Sequence, residues 1–211
     1  MKAILERRSI RKYTGEPVSD ADLKDLLKAA MAAPSAGNGQ PWEFIIVNDR
    51  QLLTEITKVH PYSAMLLQAP LAIIVCGKLD NERYKGYWAQ DCSAATENIL
   101  IAAQSKGLGT VWLGVYPVEE RVNGIRKIFK IPENMIPLNV IAVGHPAEKK
   151  KPSDRYDENR IHFNHLLLLN ENKKHIWVHV KITSVKIIKH YGIRKVKKYR
   201  LETIQIPYLK N

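Results

Sequence analysis

Apolar residues recur along this chain in two patterns, short unbroken runs and helical repeats. The short runs are bounded by glycine, proline or asparagine and predict buried strands. The four strands are predicted at 43–48, 70–76, 110–113 and 136–143. Between them, apolar residues at helical spacing predict amphipathic helices that begin near Ser19, Asp49 and Glu119. Strands that alternate with helices indicate a layered domain of the α/β or α+β class.

The longest helical pattern runs from Trp88 to Lys106, with Gly107 placed for a left-handed C-cap. Its apolar and small residues cover most of the circumference, which is typical of a helix buried inside a structure. Two arrangements satisfy this pattern. The helix is the centre of a single core, or its small-residue face packs against a second copy of itself, and the stretch alone favours the first.

The chain of 211 residues suffices for one substantial core and is short for two. Cys76 and Cys92 lie in apolar surroundings without metal-site spacing, so we expect reduced core thiols and no metal. The first residues lack the apolar segment of a signal peptide, and no apolar run reaches the length of a membrane span. We therefore expect a soluble cytoplasmic protein with no membrane partner.

The net charge of +12 is unevenly distributed. Residues 165–211 hold 11 Lys and Arg against two acids, a net charge of +9, whereas residues 1–164 hold 22 basic and 19 acidic residues. A nucleic-acid site would be expected within the folded body, and no nucleic-acid-binding motif accompanies the charge. The sequence therefore argues against a nucleic-acid partner.

Two stretches carry candidate binding chemistry. Arg7, Arg8 and Arg11 surround Ser9, and guanidinium groups beside a hydroxyl suit a phosphate, although a solvated basic helix end gives the same pattern. The loop 34–42 combines Gly and Pro with Ser35, Asn38, Gln40 and Trp42. Such loops present backbone N–H groups and neutral polar side chains to a ligand, although an ordinary connecting turn is the simpler alternative.

Four motifs in this order resemble those of the nitroreductase family of flavoproteins. They are Arg7-Arg8-Ser9-x-Arg11, Pro34-Ser-Ala-x-Asn38-x-Gln40-Pro-Trp42, Gly107-Leu-Gly-Thr-Val-Trp-Leu-Gly114, and Gly144-His-Pro before the segment Arg155-Tyr-Asp-Glu-Asn-Arg160-Ile-His162. Each motif is weak alone, but the four occur in the family's order over about three-quarters of the chain.

The resemblance implies an α+β fold, a three-layer α/β/α domain with a central mixed, mainly antiparallel sheet. It implies a homodimer formed through the long central helix, with FMN bound at the subunit interface. The domain is expected at residues 1–164, followed by a basic extension at 165–211.

The resemblance also implies roles for individual residues. Arg7, Arg8 and Ser9 would meet the phosphate and ribityl chain of FMN, and Arg11 its N1/O2 edge. Leu113 and Gly114 would lie along the flavin, with a backbone N–H near N5, while Arg155 and Arg160 would close on the phosphate. The other subunit would supply a loop containing Pro34, Ser35, Ala36, Asn38 and Gln40.

The activity implied is an FMN-dependent oxidoreductase that takes hydride from NADH or NADPH and passes it to nitroaromatics, quinones or similar small oxidants by ping-pong turnover. The chemistry belongs to the flavin, so no catalytic side chain is expected. The alternatives are a reductive dehalogenase, a flavin-consuming enzyme, or a non-catalytic FMN-binding protein. His60, His145 and His162 are interpreted as structural or solvent-facing.

The extension departs from the family pattern, whose compact members usually stop near residue 164. Residues 175–183 alternate like a half-buried strand, and 195–200 form a charge run. Three interpretations stay open. The extension is an added strand pair, a basic arm for nucleic acid or an acidic partner, or an unselected extension of the reading frame, and its composition slightly favours the last.

Overall fold

A computed structural model describes residues 1–166 of the protein. Residues 1–155 form one compact unit and a second unit begins at Tyr156, and each is described by itself. The predicted boundary at residue 164 stays a prediction. The strand pattern predicted at 175–183 and the charge run at 195–200 lie outside the described residues.

Four strands form one sheet in the order β1-β2-β4-β3, and every neighbouring pair is antiparallel. The strands are β1 (Trp42–Val47), β2 (Leu71–Lys78), β3 (Gly109–Gly114) and β4 (Met135–Gly144). Each predicted strand is confirmed to within two residues at either end. The two central strands, β2 and β4, carry the longest buried apolar runs, whereas β1 and β3 form opposite edges.

Five α-helices accompany the sheet in the described part of the chain. They are α1 (Lys2–Glu6), α2 (Asp20–Met31), α3 (Arg50–Val59), α4 (Trp88–Ser105) and α5 (Glu119–Phe129). The Ser19 hydroxyl accepts from the Asp22 N–H at 3.1 Å, and the Asp49 carboxylate accepts from the Leu52 N–H at 2.9 Å. These bonds satisfy N–H groups that a helix start otherwise leaves unpaired, and they confirm the helix starts predicted near Ser19 and Asp49.

Helix α4 ends as its sequence predicts. Gly107 has a φ of 75°, which an L side chain adopts only with strain. The Leu108 N–H donates to the Ala103 carbonyl at 2.9 Å, and the Gly107 N–H donates to the Gln104 carbonyl at 3.2 Å. This pair of bonds is the Schellman motif, and it directs the chain from α4 into β3.

Helices cover both faces of the sheet. On β2, Ala72 and Ile74 face a core shared with α3 and α5, whereas Ile73 and Val75 face a second core shared with α4 and α2. This alternation follows from the two-residue period of a strand. The predicted three-layer α/β/α arrangement is confirmed.

Both cysteines are buried free thiols, as predicted. Cys76 belongs to the core under α3 and α5, and Cys92 belongs to the core under α4. Burial raises the pKa of both thiols to about 12, so they remain protonated at neutral pH. Neither is suited to nucleophilic chemistry.

The residues before α2 form an arm, residues 7–13, that follows the open edge of β3. Ser9 forms a parallel bridge with Thr110, and the Ile10 N–H donates to the Thr110 carbonyl at 2.9 Å. Tyr13 pairs with Pro146 just beyond β4. The Ser9–Thr110 bridge is parallel, whereas the strands of the sheet pair antiparallel, and it places the cationic motif at the β3 edge.

Candidate functional site

The arm is held by the basic segment, residues 148–155, that follows β4. The Arg8 guanidinium donates to the Ser153 hydroxyl, and the Lys150 ammonium donates to the Ser9 carbonyl at 2.7 Å. Lys150 also pairs with Glu148 at 3.1 Å. The structure therefore brings the first predicted phosphate motif beside the chain that leads to Arg155, although some 140 residues separate them in sequence.

The charge of this cluster is strongly positive. The segment contains two acids, Glu148 and Asp154. The Glu148 carboxylate accepts from the Arg11 backbone N–H, and this bond lowers the pKa of Glu148. Glu148 is therefore ionised at neutral pH and is paired with Lys150. The arm and the segment together contain seven further cationic side chains. These are Arg7, Arg8, Arg11, Lys12, Lys149, Lys151 and Arg155.

Arg7 occupies a different position from the other cations of the arm. Its Nε lies 3.4 Å from an Oε1 of Glu97 on α4, and its side chain is 22% exposed. This ion pair ties the arm to the middle of the central helix. Arg8 and Arg11, which lie further along the arm, approach the basic segment instead.

The edge strand β3 presents backbone groups at its last residue, Gly114. Along an antiparallel pair, every second residue directs its N–H and carbonyl at the partner strand. Val115, the residue after Gly114, directs its N–H at β4, where it donates to the Leu138 carbonyl at 3.1 Å. The N–H and the carbonyl of Gly114 therefore point away from β4, toward the open edge. A Cβ built on Gly114 would have no atom within 4 Å, so the space beside this backbone is open.

Two side chains donate to the Gly114 carbonyl. The Nε2 of His60 and an Nη of Arg121 each lie 2.9 Å from this oxygen. His60 is 2% exposed, and its Nδ1 accepts from the Tyr62 N–H at 3.3 Å. Desolvation by burial, opposed by the Gly114 bond, lowers the pKa of His60, so it is a neutral donor. No sequence signal indicated that His60 meets Gly114 or that Arg121 joins it.

Leu113 differs from Gly114 in the groups that it presents to the open edge of β3. Its side chain is 4% exposed and belongs to the core under α3 and α5. Its N–H and carbonyl face β4, opposite Val140, so Leu113 offers the open edge no hydrogen-bonding group.

The loop 34–40 lies at the start of α4, on the opposite edge of the sheet. The Ala36 N–H donates to the buried carboxylate of Asp91 at 3.0 Å, and the Gln40 N–H donates to the Ser35 hydroxyl at 3.1 Å. The Gln40 amide donates to the Asn38 side chain at 2.8 Å. Asn38 and Gln40 both adopt positive φ, so a short polar network maintains a backbone that L residues otherwise avoid.

The loop leads into β1, whereas the arm and Gly114 belong to the β3 edge. Three interstrand spacings separate β1 from β3, roughly 14 Å across the sheet. Within one protomer the 34–40 loop and the other predicted site residues of the arm and Gly114 therefore lie at different edges of the sheet. Arg160 belongs to the second unit, where its guanidinium pairs with Asp157 at 3.2 Å.

The sequence model of the Nitroreductase family matches residues 4–60 and 53–145, more than half of the chain. The protein belongs to the nitroreductase family. The matched residues include the arm, the 34–40 loop and β3, whereas the basic segment begins just beyond them.

Named relatives within the nitroreductase family extend along most of the described residues. A protein of Methanothermobacter thermautotrophicus with the provisional name NADH dehydrogenase/NAD(P)H nitroreductase is 52% identical over 162 residues, which are 77% of this chain and 85% of that protein. A crystal structure from Parabacteroides distasonis with the same provisional name has a TM-score of 0.76 and 43% identity, covering 78% of this chain and 97% of that one.

A third similar structure is an FMN-dependent nitroreductase from Clostridium difficile R20291. It has a TM-score of 0.73 and 31% identity, and the match covers 79% of this chain and 100% of that one. The nitroreductase fold is therefore shared across the whole length of that protein.

Two further properties bear on the site of this nitroreductase family member. Within residues 1–166, His, Cys, Asp and Glu side chains form no cluster of three or more that could hold a metal ion. None of the helices in this range is long and apolar enough to cross a membrane.

Proposed function

We propose that this protein is an FMN-dependent oxidoreductase that takes hydride from NADH or NADPH and passes it to nitroaromatics, quinones or similar small oxidants. Membership of the nitroreductase family supports an NAD(P)H-dependent flavin enzyme. The observation that carries the proposal is the β3 edge, where the cationic arm runs beside the strand and Gly114, its last residue, directs its backbone outward.

The residues present fit FMN at both of its ends. The phosphate requires cations and short hydrogen-bond donors, which Arg8, Ser9 and Arg155 would supply. The cluster around them contains more basic than acidic side chains. The flat ring system requires open space beside a backbone donor, and a Cβ on Gly114 would meet nothing within 4 Å. Bulkier surroundings at this edge would leave no room for the ring.

Bound FMN supplies the hydride acceptor and donor of the reaction at its N5 atom. The Gly114 N–H would orient that edge of the ring, since it points out of the sheet without a neighbouring strand. Arg11 would stabilise negative charge near N1 and O2 after reduction. Ser9 and Arg8 would hold the phosphate, and Arg7, through Glu97, keeps the arm against α4.

The 34–40 loop supports a site completed by a second protomer. It lies on the β1 edge, about 14 Å from β3, so Pro34, Ser35, Ala36, Asn38 and Gln40 would reach the flavin of the partner in a homodimer. Nicotinamide donor and oxidant would then occupy the same open face in turn, which gives ping-pong kinetics.

The first test is an absorbance spectrum of the purified protein, reconstituted with FMN where needed, before and after anaerobic addition of NADH or NADPH. Bound flavin that bleaches promptly and recovers on addition of a quinone supports the proposal. Bound flavin that neither donor reduces at a useful rate indicates a non-catalytic flavin-binding protein. Absence of binding after reconstitution contradicts the proposal.

Variants test the phosphate end of the site. Arg8→Ala and Arg155→Ala should each weaken FMN binding by roughly tenfold, because each removes one charge-assisted contact. Lys127→Ala is the matched control, since Lys127 is an exposed cation in the last turn of α5. Equal flavin affinity in all three variants would contradict the assignment.

A further inference from the structure

The bonds on the Gly114 carbonyl place two donors at the end of an edge strand. Both lone pairs of this oxygen are used, one by His60 and one by Arg121, each at 2.9 Å. On its other side, Gly114 is preceded by Leu113, which pairs with Val140 in the ladder. A glycine that ends a strand is otherwise free to rotate, so these contacts together fix its backbone.

The role of each donor follows from its partners. The Tyr62 N–H donates to Nδ1 of His60, so the ring proton must be on Nε2, where it points at Gly114. Arg121 carries the charge, and its guanidinium also lies 5.5 Å from the centre of the Tyr62 ring. The pair therefore places one positive charge, rather than two, beside the β3 edge.

Helix stability does not explain the position of Arg121. It is the third residue of α5, where the positive end of the helix dipole disfavours a cation, whereas Glu119 and Glu120 in the same turn are favoured there. Its guanidinium lies within about 6 Å of the Gly114 N–H, because one hydrogen bond and one residue width separate them. The charge is thus placed at the proposed flavin edge.

We propose that His60 and Arg121 are positioning residues that aim the Gly114 N–H at the flavin, and that Arg121 also favours the reduced flavin through its fixed positive charge. The inference rests on the proposed function, in which FMN lies along Gly114. Reduction by hydride adds two electrons and one proton to the flavin, and the added negative charge is stabilised by a nearby cation.

The charge is tested in the full-length protein reconstituted with FMN. Arg121→Met should lower the preference for reduced over oxidised FMN by about tenfold, which is about 30 mV for a two-electron couple. Arg121→Lys should retain most of that preference. Arg126→Met is the matched control, because Arg126 lies on the same helix and also donates to a backbone carbonyl, that of Met135, at 2.9 Å.

The aim of the N–H is tested with ¹⁵N-labelled FMN, because the N5 resonance reports hydrogen bonding at that atom. His60→Leu should shift N5 toward the position of a flavin without that bond, and His60→Gln, which keeps a donor at the same reach, should restore it. If His60→Leu does not fold, the same comparison is made between Arg121→Met and Arg121→Lys.

The outcomes separate this inference from the proposed function. Unmodified protein that fails to bind FMN, or to reduce it with NAD(P)H, removes the proposed function before any variant is compared. If the unmodified protein binds FMN and reduces it with NAD(P)H, two results overturn the inference alone. These are an unchanged flavin potential in Arg121→Met and an equal shift of that potential in Arg126→Met. Loss of FMN in Arg121→Met but not in Arg121→Lys or Arg126→Met supports it.

Discussion

Gly114 is the residue where the absence of a side chain has the clearest functional meaning. Other glycines of the fold accommodate close neighbours, such as Gly109, whose added Cβ would lie 2.8 Å from Ile10. Gly114 has no such neighbour in the described structure and is not at positive φ. Packing within the protomer therefore does not require glycine at this position, whereas a bound ring along the backbone does.

Gly114→Ala should leave the midpoint of thermal unfolding nearly unchanged while FMN affinity falls by roughly tenfold, because the methyl group enters the space proposed for the flavin. Gly109→Ala should do the reverse and destabilise the fold by about 1–3 kcal/mol through overpacking against Ile10. Thermal unfolding without FMN and flavin titration measure the two effects. Undiminished affinity in Gly114→Ala would remove the proposed flavin position.

The stability of the fold should depend on the protonation of His60. Its pKa is lowered in the folded protein, so the unfolded chain binds the extra proton more readily. The contribution of neutral His60 to the free energy of unfolding is complete above pH 6.5, which is about the pKa of His in the unfolded chain. It is lost as the pH falls toward the lower pKa of the folded state.

His60→Gln should therefore reduce the decline of unfolding free energy as the pH falls below about 6.5. Urea denaturation across this range measures the slope, with the unmodified protein as reference. Equal slopes would mean that His60 does not couple stability to pH.

At the scale of elements, a polar contact joins the central helix to the sheet. Asn139 of β4 is fully buried, and its amide donates to the Thr96 hydroxyl of α4 at 2.9 Å. That hydroxyl in turn donates to the Cys92 carbonyl at 2.8 Å. The Asn139 Oδ1 has no hydrogen-bond partner among residues 1–166. The Thr96 hydroxyl is therefore the one hydrogen-bond partner of the Asn139 side chain within these residues.

Thr96→Val should cost about 1–3 kcal/mol of unfolding free energy, because it leaves the buried Asn139 amide without that partner. In an Asn139→Leu background the same substitution should cost much less, since no buried amide is then left unpaired. Urea denaturation of the four proteins gives the coupling directly. A cost that is equal in both backgrounds would show that the contact carries little energy.

The elements themselves were predictable because local signals and burial agree. Four apolar runs became strands, the Ser19 and Asp49 caps formed, and Gly107 ended α4. The short helix α1 was not predicted, since its cationic and apolar residues show no core-facing stripe.

The candidate site could be predicted from the sequence only where a motif stays within one segment, and the roles of its residues stay predictions. The resemblance named the arm and Gly114, but the bond between His60 and Gly114 joins residues 54 positions apart, and it depends on how α3, α5 and β3 pack. Lys150 and Ser153 likewise meet the arm only through the route of the chain beyond β4. Such contacts have no periodicity in the sequence from which they could be predicted.

At the scale of the molecule, the outer face of α4 is the surface to test for dimer formation. Ala95 faces the sheet and is fully buried, so a charge there would damage the core rather than an interface. Ile101 lies about half a turn away from the core side of the helix, is half-buried and belongs to neither core cluster. Exposed Ile4 and Leu5 on α1, which packs against α4, extend the apolar surface.

Ile101→Glu should convert a dimer into a folded monomer and abolish tight FMN binding, because a charge on an apolar interface is costly to bury. Met31→Glu is the control, since Met31 is 55% exposed on α2. Sedimentation velocity and flavin content measure both effects. An unmodified protein that is monomeric and flavin-loaded would contradict the shared site.

The opposite placement of the 34–40 loop and the β3 edge has a genetic consequence. A protomer with Arg8→Ala keeps an intact loop, and a protomer with Asn38→Ala keeps an intact arm. If the sites are shared between protomers as proposed, one site of a hybrid dimer would inherit both defects and the other would inherit neither. Two alleles with weakened FMN binding, expressed together, would thus complement each other, restoring about a quarter of all sites when protomers mix at random.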